Sequence, residues 1–304
     1  MKRTISLLLI FLLIGIGIYF GLKNNKGNAS NGKLQVTASF YPYYFFASQI
    51  GGIKANVVNI TPAGAEPHDY EPSSGDIVQI ESSKLLILNG VVEPWGNSIQ
   101  ENLKGKNTKV LIAGQGLFTQ KIVDENGVYS TDPHVWLSPT LAKKQVSAIL
   151  ASFDEIDPSN SNYYTANANK LLGELDNLNH DYKNGLASCQ EKDIITSHAA
   201  FGYLATDYGL TQVPIAGLSP DAEPSIKQLA AITDFARKNN VKYIFFESLV
   251  SPKLSQTIAN EIGAKTLVLD PLEGLTPEAL AQGQNYLTVM EQNLHNLRIA
   301  LNCK

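Results

Sequence analysis

Residues 161–186 read SNYYTANANKLLGELDNLNHDYKNGL, without proline and with Gly173 and Gly185 as the only glycines. Leu171, Leu175, Leu178 and Tyr182 recur at three- and four-residue steps, the period of one buried helical face. Ahead of them, DPSN at 157–160 supplies Asp and Ser as caps and Pro at an early position, a helix start signal. A helix of about 25 residues runs ~40 Å at 1.5 Å per residue, long enough to reach across two small lobes. A Gly/Ser linker would let such lobes swing, whereas a helix ties them stiffly. Limited motion between lobes is therefore expected.

The same kind of segment lies on both sides of this helix. Upstream are LQVTASF (34–40), NVVNI (56–60), KLLILNG (84–90) and TKVLIA (108–113); downstream are DIITSH (193–198), TQVPIAG (211–217), VKYIFFES (241–248) and AKTLVLD (264–270). These short runs are apolar at both odd and even positions, as in strands covered on both faces, and helical stretches separate them. The expectation is an α/β protein with two parallel-sheet lobes, residues 33–156 and 189–304, joined by one long rigid helix within 157–188.

At the amino end, Lys2 and Arg3 precede ISLLLIFLLIGIGIYFGL (5–22), which carries no charge. The run is about long enough to cross a bilayer, and its positive flank places the N-terminus in the cytoplasm and the remainder outside. Residues 1–32 are expected to form a transmembrane anchor with a polar tether, KNNKGNASNG (23–32). A secretory signal cleaved near GNAS (27–30) is the alternative.

Composition narrows the function classes. An apolar fraction of 44% with 17% charged residues is that of a globular chain, and a net charge of −4 supplies no basic footprint for nucleic acid. The two cysteines, Cys189 and Cys303, read in an exported chain as one disulfide or as two free thiols.

The five histidines separate on this map. His68 lies in GAEPHDYEPSSGD (64–76), a loop too rich in Pro, Gly and Ser to be helical. His134 lies in TDPHVWLSP, bracketed by prolines, and His198 ends a strand. Asp270 ends AKTLVLD with Pro271 behind it. Ligand groups gather at the carboxyl ends of strands in open parallel sheets, and all four positions fit that edge. His180 and His295 sit in polar helical surroundings and read as solvated. Three imidazoles and one carboxylate make a four-coordinate zinc set, two ligands from each lobe; Mg²⁺ and Ca²⁺ prefer oxygen. A closed shell leaves no position for a catalytic water. No H-E-x-x-H or G-x-S-x-G is present, and GNASNGKL (27–34) departs from a phosphate-binding loop by ending in Leu34 ahead of a strand. Binding is expected rather than catalysis. A zinc-dependent hydrolase using the same histidines is the rival of another class, and a surface adhesin with structural metal is a third reading.

The segments ASFYPYYFFASQIGG, PAGAEPHDYEPS, DPHVWLSP, DIITSHAAFGYLATDYGL, GLSPDAEPSIKQL and YIFFESLVSPKLSQTIANEIGAKTLVLDPLEGL resemble zinc- and manganese-binding solute-binding proteins of ABC transporters, over roughly residues 34–304. The resemblance implies two α/β lobes joined by one long helix, with metal ligands at His68, His134, His198 and Asp270. It implies a monomer that takes up a divalent metal ion, Zn²⁺ with Mn²⁺ or iron as the alternative cargo, and delivers it to a permease subunit. Manganese-preferring relatives place Glu where His198 stands. The His-rich loop common in zinc members is absent from GLFTQKIVDENGVYST (116–131), and no lipid-bearing cysteine follows the apolar run. The resemblance also implies a Cys189–Cys303 bridge tying the last helix to the second lobe. Glu247 and Glu66 are candidates to orient a histidine, Glu66 also as an alternate ligand. The aromatics of FYPYYFF (40–46) are expected to pack the first lobe or shield the cleft, and Trp95 and Trp136 to pack beside the metal loops.

Overall fold

A computed structural model describes residues 32–123 and 127–304. The anchor expected at residues 5–22, and its tether as far as residue 31, lie outside them. Among the described residues no helix is long and apolar enough to cross a membrane.

The first lobe runs β1 (Leu34–Ala38), α1 (Tyr41–Gly51), β2 (Ala55–Asn59), α2 (Ser74–Ser82), β3 (Leu85–Leu88), α3 (Gly96–Leu103) and β4 (Lys109–Ile112). A small antiparallel hairpin follows, β5 (Lys121–Val123) and β6 (Tyr129–Thr131), then α4 (Pro139–Ile156) and the long α5 (Ser161–Leu186). The second lobe runs β7 (Asp193–Thr196), α6 (Gly202–Tyr208), β8 (Thr211–Pro214), α7 (Ile226–Lys238), β9 (Tyr243–Phe246), α8 (Lys253–Ile262), β10 (Lys265–Val268), α9 (Pro277–Ala281) and α10 (Tyr286–Ala300). The sheets have orders β2-β1-β3-β4 and β10-β9-β7-β8, all pairs parallel, with Val36 opposite both Val57 and Leu85. The two orders are one topology used twice. Each sheet reverses its direction of growth beside its first strand, between β1 and β3 and between β7 and β9, which is where such sheets open a crevice for a ligand.

Strand periodicity explains why both faces are apolar. In β3, Leu85 and Ile87 join the main core, while Leu86 and Leu88 face a second cluster with Ile80, Trp95 and Ile99. In the second lobe Ile194 and Phe245 face the main core, and their neighbours Ile195 and Ile244 pack with Ile232 and Ile258 on the other side. The main core is shared between the lobes. Tyr164, Ala168, Leu171, Leu175, Leu178, Tyr182 and Leu186 form the buried stripe of α5 within it, beside residues of both sheets. Residues Leu34–Lys304 accordingly form one contact unit.

The expected aromatics are structural. Phe40 meets Tyr43 and Trp136 edge-on at 5.0 Å, and Phe45 stacks on Tyr286 of α10 at 5.7 Å. Cys189 and Cys303 are joined as a disulfide across 114 residues, fastening the segment after α10 to the start of the second lobe.

Candidate metal centre

The loop containing His68 is held from its far end. Ser73 Oγ accepts the Asp76 N–H at 3.3 Å and the Asp76 carboxylate accepts the Ser73 N–H at 2.7 Å, a reciprocal cap that starts α2. Tyr70 Oη donates to the same carboxylate at 2.8 Å. One carboxylate of the acidic stretch is thus committed to a helix terminus. Gly64, at φ +83°, donates its N–H to the Leu275 carbonyl of the second lobe at 3.0 Å.

His134 stands ahead of α4, and His198 follows β7 at the sheet's reversal point. Both are fully buried. Each is fixed in the same way by one carboxylate oxygen. Asp132 Oδ1 accepts the backbone N–H of His134 at 2.9 Å and its Nδ1–H at 2.8 Å. Glu247 Oε1, at the end of β9, accepts the backbone N–H of His198 at 3.2 Å and its Nδ1–H at 2.7 Å. A carboxylate only accepts, so the ring proton is drawn to Nδ1 and the Nε2 lone pair is left for a metal. Glu66 Oε1 accepts the backbone N–H of His68 at 3.3 Å.

The three Nε2 atoms converge on one carboxylate oxygen. Glu273 Oε1 lies 3.1 Å from His68, 3.2 Å from His134 and 3.3 Å from His198, and the last two Nε2 atoms are 3.3 Å apart. His68, His134, His198 and Glu273 each offer one ligand atom, all within 4.8 Å of one another. Tetrahedral zinc with bonds of ~2.0–2.1 Å requires ligand-to-ligand edges of about 3.3 Å, and four of the six edges of this cluster already lie at 3.1–3.3 Å. His68 is 11% exposed against 1% or less for the other three, so it is the group of the cluster nearest solvent.

The cluster holds carboxylate oxygens that the described residues leave without a partner. Glu66 Oε2, Asp132 Oδ2 and Glu273 Oε2 are buried without a hydrogen-bond partner among the described residues. Burial, then the charge of Glu273, pushes Glu66 up to about 9. Burial alone would lower His198, but the charges of Glu247 and Glu273 hold it well above its ordinary value. His134 is raised in the same way against burial, by its bonds to Asp132 and Glu273. Burial would raise Glu273, yet the charge on His198 and the bonds from His134, His198 and His68 hold it well below the usual carboxylate range. A divalent cation supplies the positive charge that these carboxylates otherwise take from imidazolium.

Of the four ligands expected from sequence, three are brought together. Asp270 is not among the convergent atoms; Glu273 is. The reason is local. Asp270 Oδ1 accepts the N–H of Leu272 at 2.7 Å, and its own main chain is held by Asn293, so its short side chain closes a turn instead of reaching the cluster. The turn carries the chain on to a longer carboxylate three residues later. The signal lay in DPLEGL, where an acidic residue sits between leucines with no basic residue nearby. Asp132, also missed, sits two residues before His134 in TDPH. Glu247 holds His198, and Glu66 contacts the His68 backbone without joining the four ligand atoms. Trp136 lies with its ring 5.1 Å from that of His134, and Trp95 packs in the first lobe's outer cluster. His180 and His295 are exposed on helices, away from the site.

The profile of the family described as zinc-uptake complex component A, periplasmic (ZnuA), matches residues 36–300. The chain is 40% identical over 294 residues to the high-affinity zinc uptake system protein ZnuA of Bacillus subtilis (strain 168), covering 92% of each chain. It is 37% identical over 319 residues to the zinc-binding protein AdcA of Streptococcus pyogenes serotype M1, and covers 98% of this chain but 62% of that protein. The crystal structure of the Zn(II)-bound ZnuA-like domain of Streptococcus pneumoniae AdcA matches with a TM-score of 0.76 at 40% identity, covering 89% of this chain and 100% of that one.

Proposed function

The chain belongs to the ZnuA family of solute-binding transport proteins, and we propose that it captures Zn²⁺ outside the cytoplasmic membrane and delivers it to the permease subunit of an ABC transporter. His68, His134, His198 and Glu273 are the four ligands in this reading. The observation that carries it is the convergence of three Nε2 atoms on Glu273 Oε1 at 3.1–3.3 Å. All four groups are used as ligands, so the ion is cargo and no open position remains for chemistry on it.

Mn²⁺ favours six oxygen-rich ligands and binds nitrogen sites more weakly than zinc. Three imidazoles in a tetrahedral arrangement therefore select zinc. The ion enters past His68, and release requires the cleft to open, separating the Gly64–Leu275 and Trp136–Pro271 hydrogen bonds that close it. The apolar run at 5–22 would serve export of the chain, as a cleaved signal or as an anchor in the cytoplasmic membrane.

Competition titration of the purified protein with zinc, manganese and a chromophoric chelator tests the assignment. Zinc is expected to bind at one site per chain and more tightly than manganese. His198→Ala should weaken zinc at least tenfold while far-ultraviolet circular dichroism is unchanged. Tighter manganese binding would overturn the cargo assignment, and unchanged zinc affinity would remove His198 from the shell.

A further inference from the structure

The segment that delivers Glu273 is heavily restrained by buried side chains. Leu272 is fully buried and sits at φ +57°, in the left-handed region that a branched, non-glycine residue enters only when its surroundings enforce it. Three restraints enforce it. Asp270 Oδ1 accepts the Leu272 N–H at 2.7 Å. Asn293, in the middle of α10 and 1% exposed, accepts the Asp270 N–H at 2.9 Å and donates to the Asp270 carbonyl at 2.7 Å. Trp136 Nε1–H of the first lobe donates to the Pro271 carbonyl at 2.8 Å.

Every polar main-chain group from Asp270 to Leu272 that these bonds touch is held by a buried side chain. Just upstream, Asn296 Nδ2 of α10 donates to the Val268 carbonyl at 2.8 Å, which continues the clamp along the end of β10. Downstream, Gly274 passes so close to the first lobe that an added Cβ would lie 3.3 Å from the Ala65 carbonyl oxygen. Between these fixed points only one residue, Glu273, aims a charged side chain into the imidazole cluster.

We propose that Asp270 is a positioning residue: with Asn293 it locks the left-handed turn at Leu272 that carries the Glu273 carboxylate into the three-histidine cluster. This rests on the reading of Glu273 as a metal ligand. Asp270 thereby acts on the metal without touching it, and α10 becomes the element that sets how firmly the fourth ligand is presented. The Trp136 bond adds a second consequence. Because Trp136 belongs to the segment of His134, its bond to the Pro271 carbonyl ties the turn that carries Glu273 to the first-lobe segment that carries His134.

The test is zinc affinity by chelator competition, together with the visible spectrum of the Co²⁺-loaded protein, for the wild type and for Asp270→Ala, Asp270→Asn, Asn293→Ala and Glu273→Gln. An asparagine at 270 still offers an acceptor to the Leu272 N–H, so D270N is expected to stay within roughly threefold of wild type. D270A and N293A are expected to lose about 10- to 100-fold, with Co²⁺ spectra displaced toward that of E273Q. Thermal melts of the metal-free variants establish that they fold, and N293A reads the same turn from the helix side if D270A does not. D270A and N293A both within threefold of wild type would overturn the proposal. So would D270N as weak as D270A beside an unimpaired E273Q, since Asp270 would then be the ligand itself. A wild-type protein that binds no zinc would instead refute the functional reading on which the proposal stands.

Discussion

Two of the three imidazoles of the centre are oriented by a neighbouring carboxylate. Asp132 and Glu247 hold His134 and His198 by two bonds apiece, at 2.7–3.2 Å, and turn each Nε2 toward the cluster. The three histidines were legible in the sequence because each stands in a loop at a sheet edge, where a helical or strand role is excluded. Which carboxylate joins the three histidines was not legible, because Asp270 and Glu273 stand three residues apart and only the turn at Leu272 places Glu273 in the cluster. The titration of the empty site yields a prediction at this scale. The charges of Glu247 and Glu273 outweigh burial and raise His198 well above 6.5, so near neutral pH its ring holds a proton that zinc must displace. Zinc affinity should therefore fall as pH is lowered, and calorimetric titration in buffers of different ionisation enthalpy should record proton release. The stability of the metal-free protein has the opposite sense. A raised histidine contributes below its unfolded value and loses that contribution as pH rises through the folded one. No proton release at pH 7 would contradict this assignment of charge.

Among the elements, the strands and the long helix were readable for opposite reasons. Eight largely apolar runs became β1–β4 and β7–β10 because strands sandwiched between two layers bury apolar side chains on both faces. α5 runs Ser161–Leu186, the span that its leucine spacing and its flanking DPSN predict. The β5–β6 hairpin went unread: its three-residue strands are largely exposed, so burial leaves no alternation in the sequence. Gly173 offers a direct probe of α5. It lies exposed in the helix interior, and an added Cβ there meets nothing within 4 Å. Gly173→Ala should stabilise the protein by about 1 kcal/mol, read as a higher urea midpoint at constant slope. Destabilisation would mean that the glycine serves a contact absent from this packing.

At the scale of the whole molecule, two lobes drawn from sequence as separate blocks share one core. Leu171, Leu175 and Leu178 of α5 join a cluster that includes Val36 and Phe46 of the first lobe and Ile194 and Phe245 of the second. Local periodicity reports which face of an element is buried but not which distant element covers it, so this continuity could not be read from the sequence. α10 reinforces it. Its Tyr286 packs on Phe45 and Phe46, and beyond its end Cys303 is bonded to Cys189. Closing a loop of 114 residues is worth about 4–5 kcal/mol in the chain-entropy account. Reduction should lower the denaturation free energy by that order, and an unchanged midpoint in reductant would show that the bridge adds nothing. The family match places this architecture among zinc-uptake components, and the shared core holds the two lobes whose loops bring His68, His134, His198 and Glu273 to one point.

X-ray absorption at the zinc edge of the loaded protein tests the central claim most directly. The account predicts a four-coordinate first shell of three imidazole nitrogens and one carboxylate oxygen at about 2.0–2.1 Å. Retained zinc with fewer than three imidazoles, or a chain that keeps no zinc through dialysis, would contradict it.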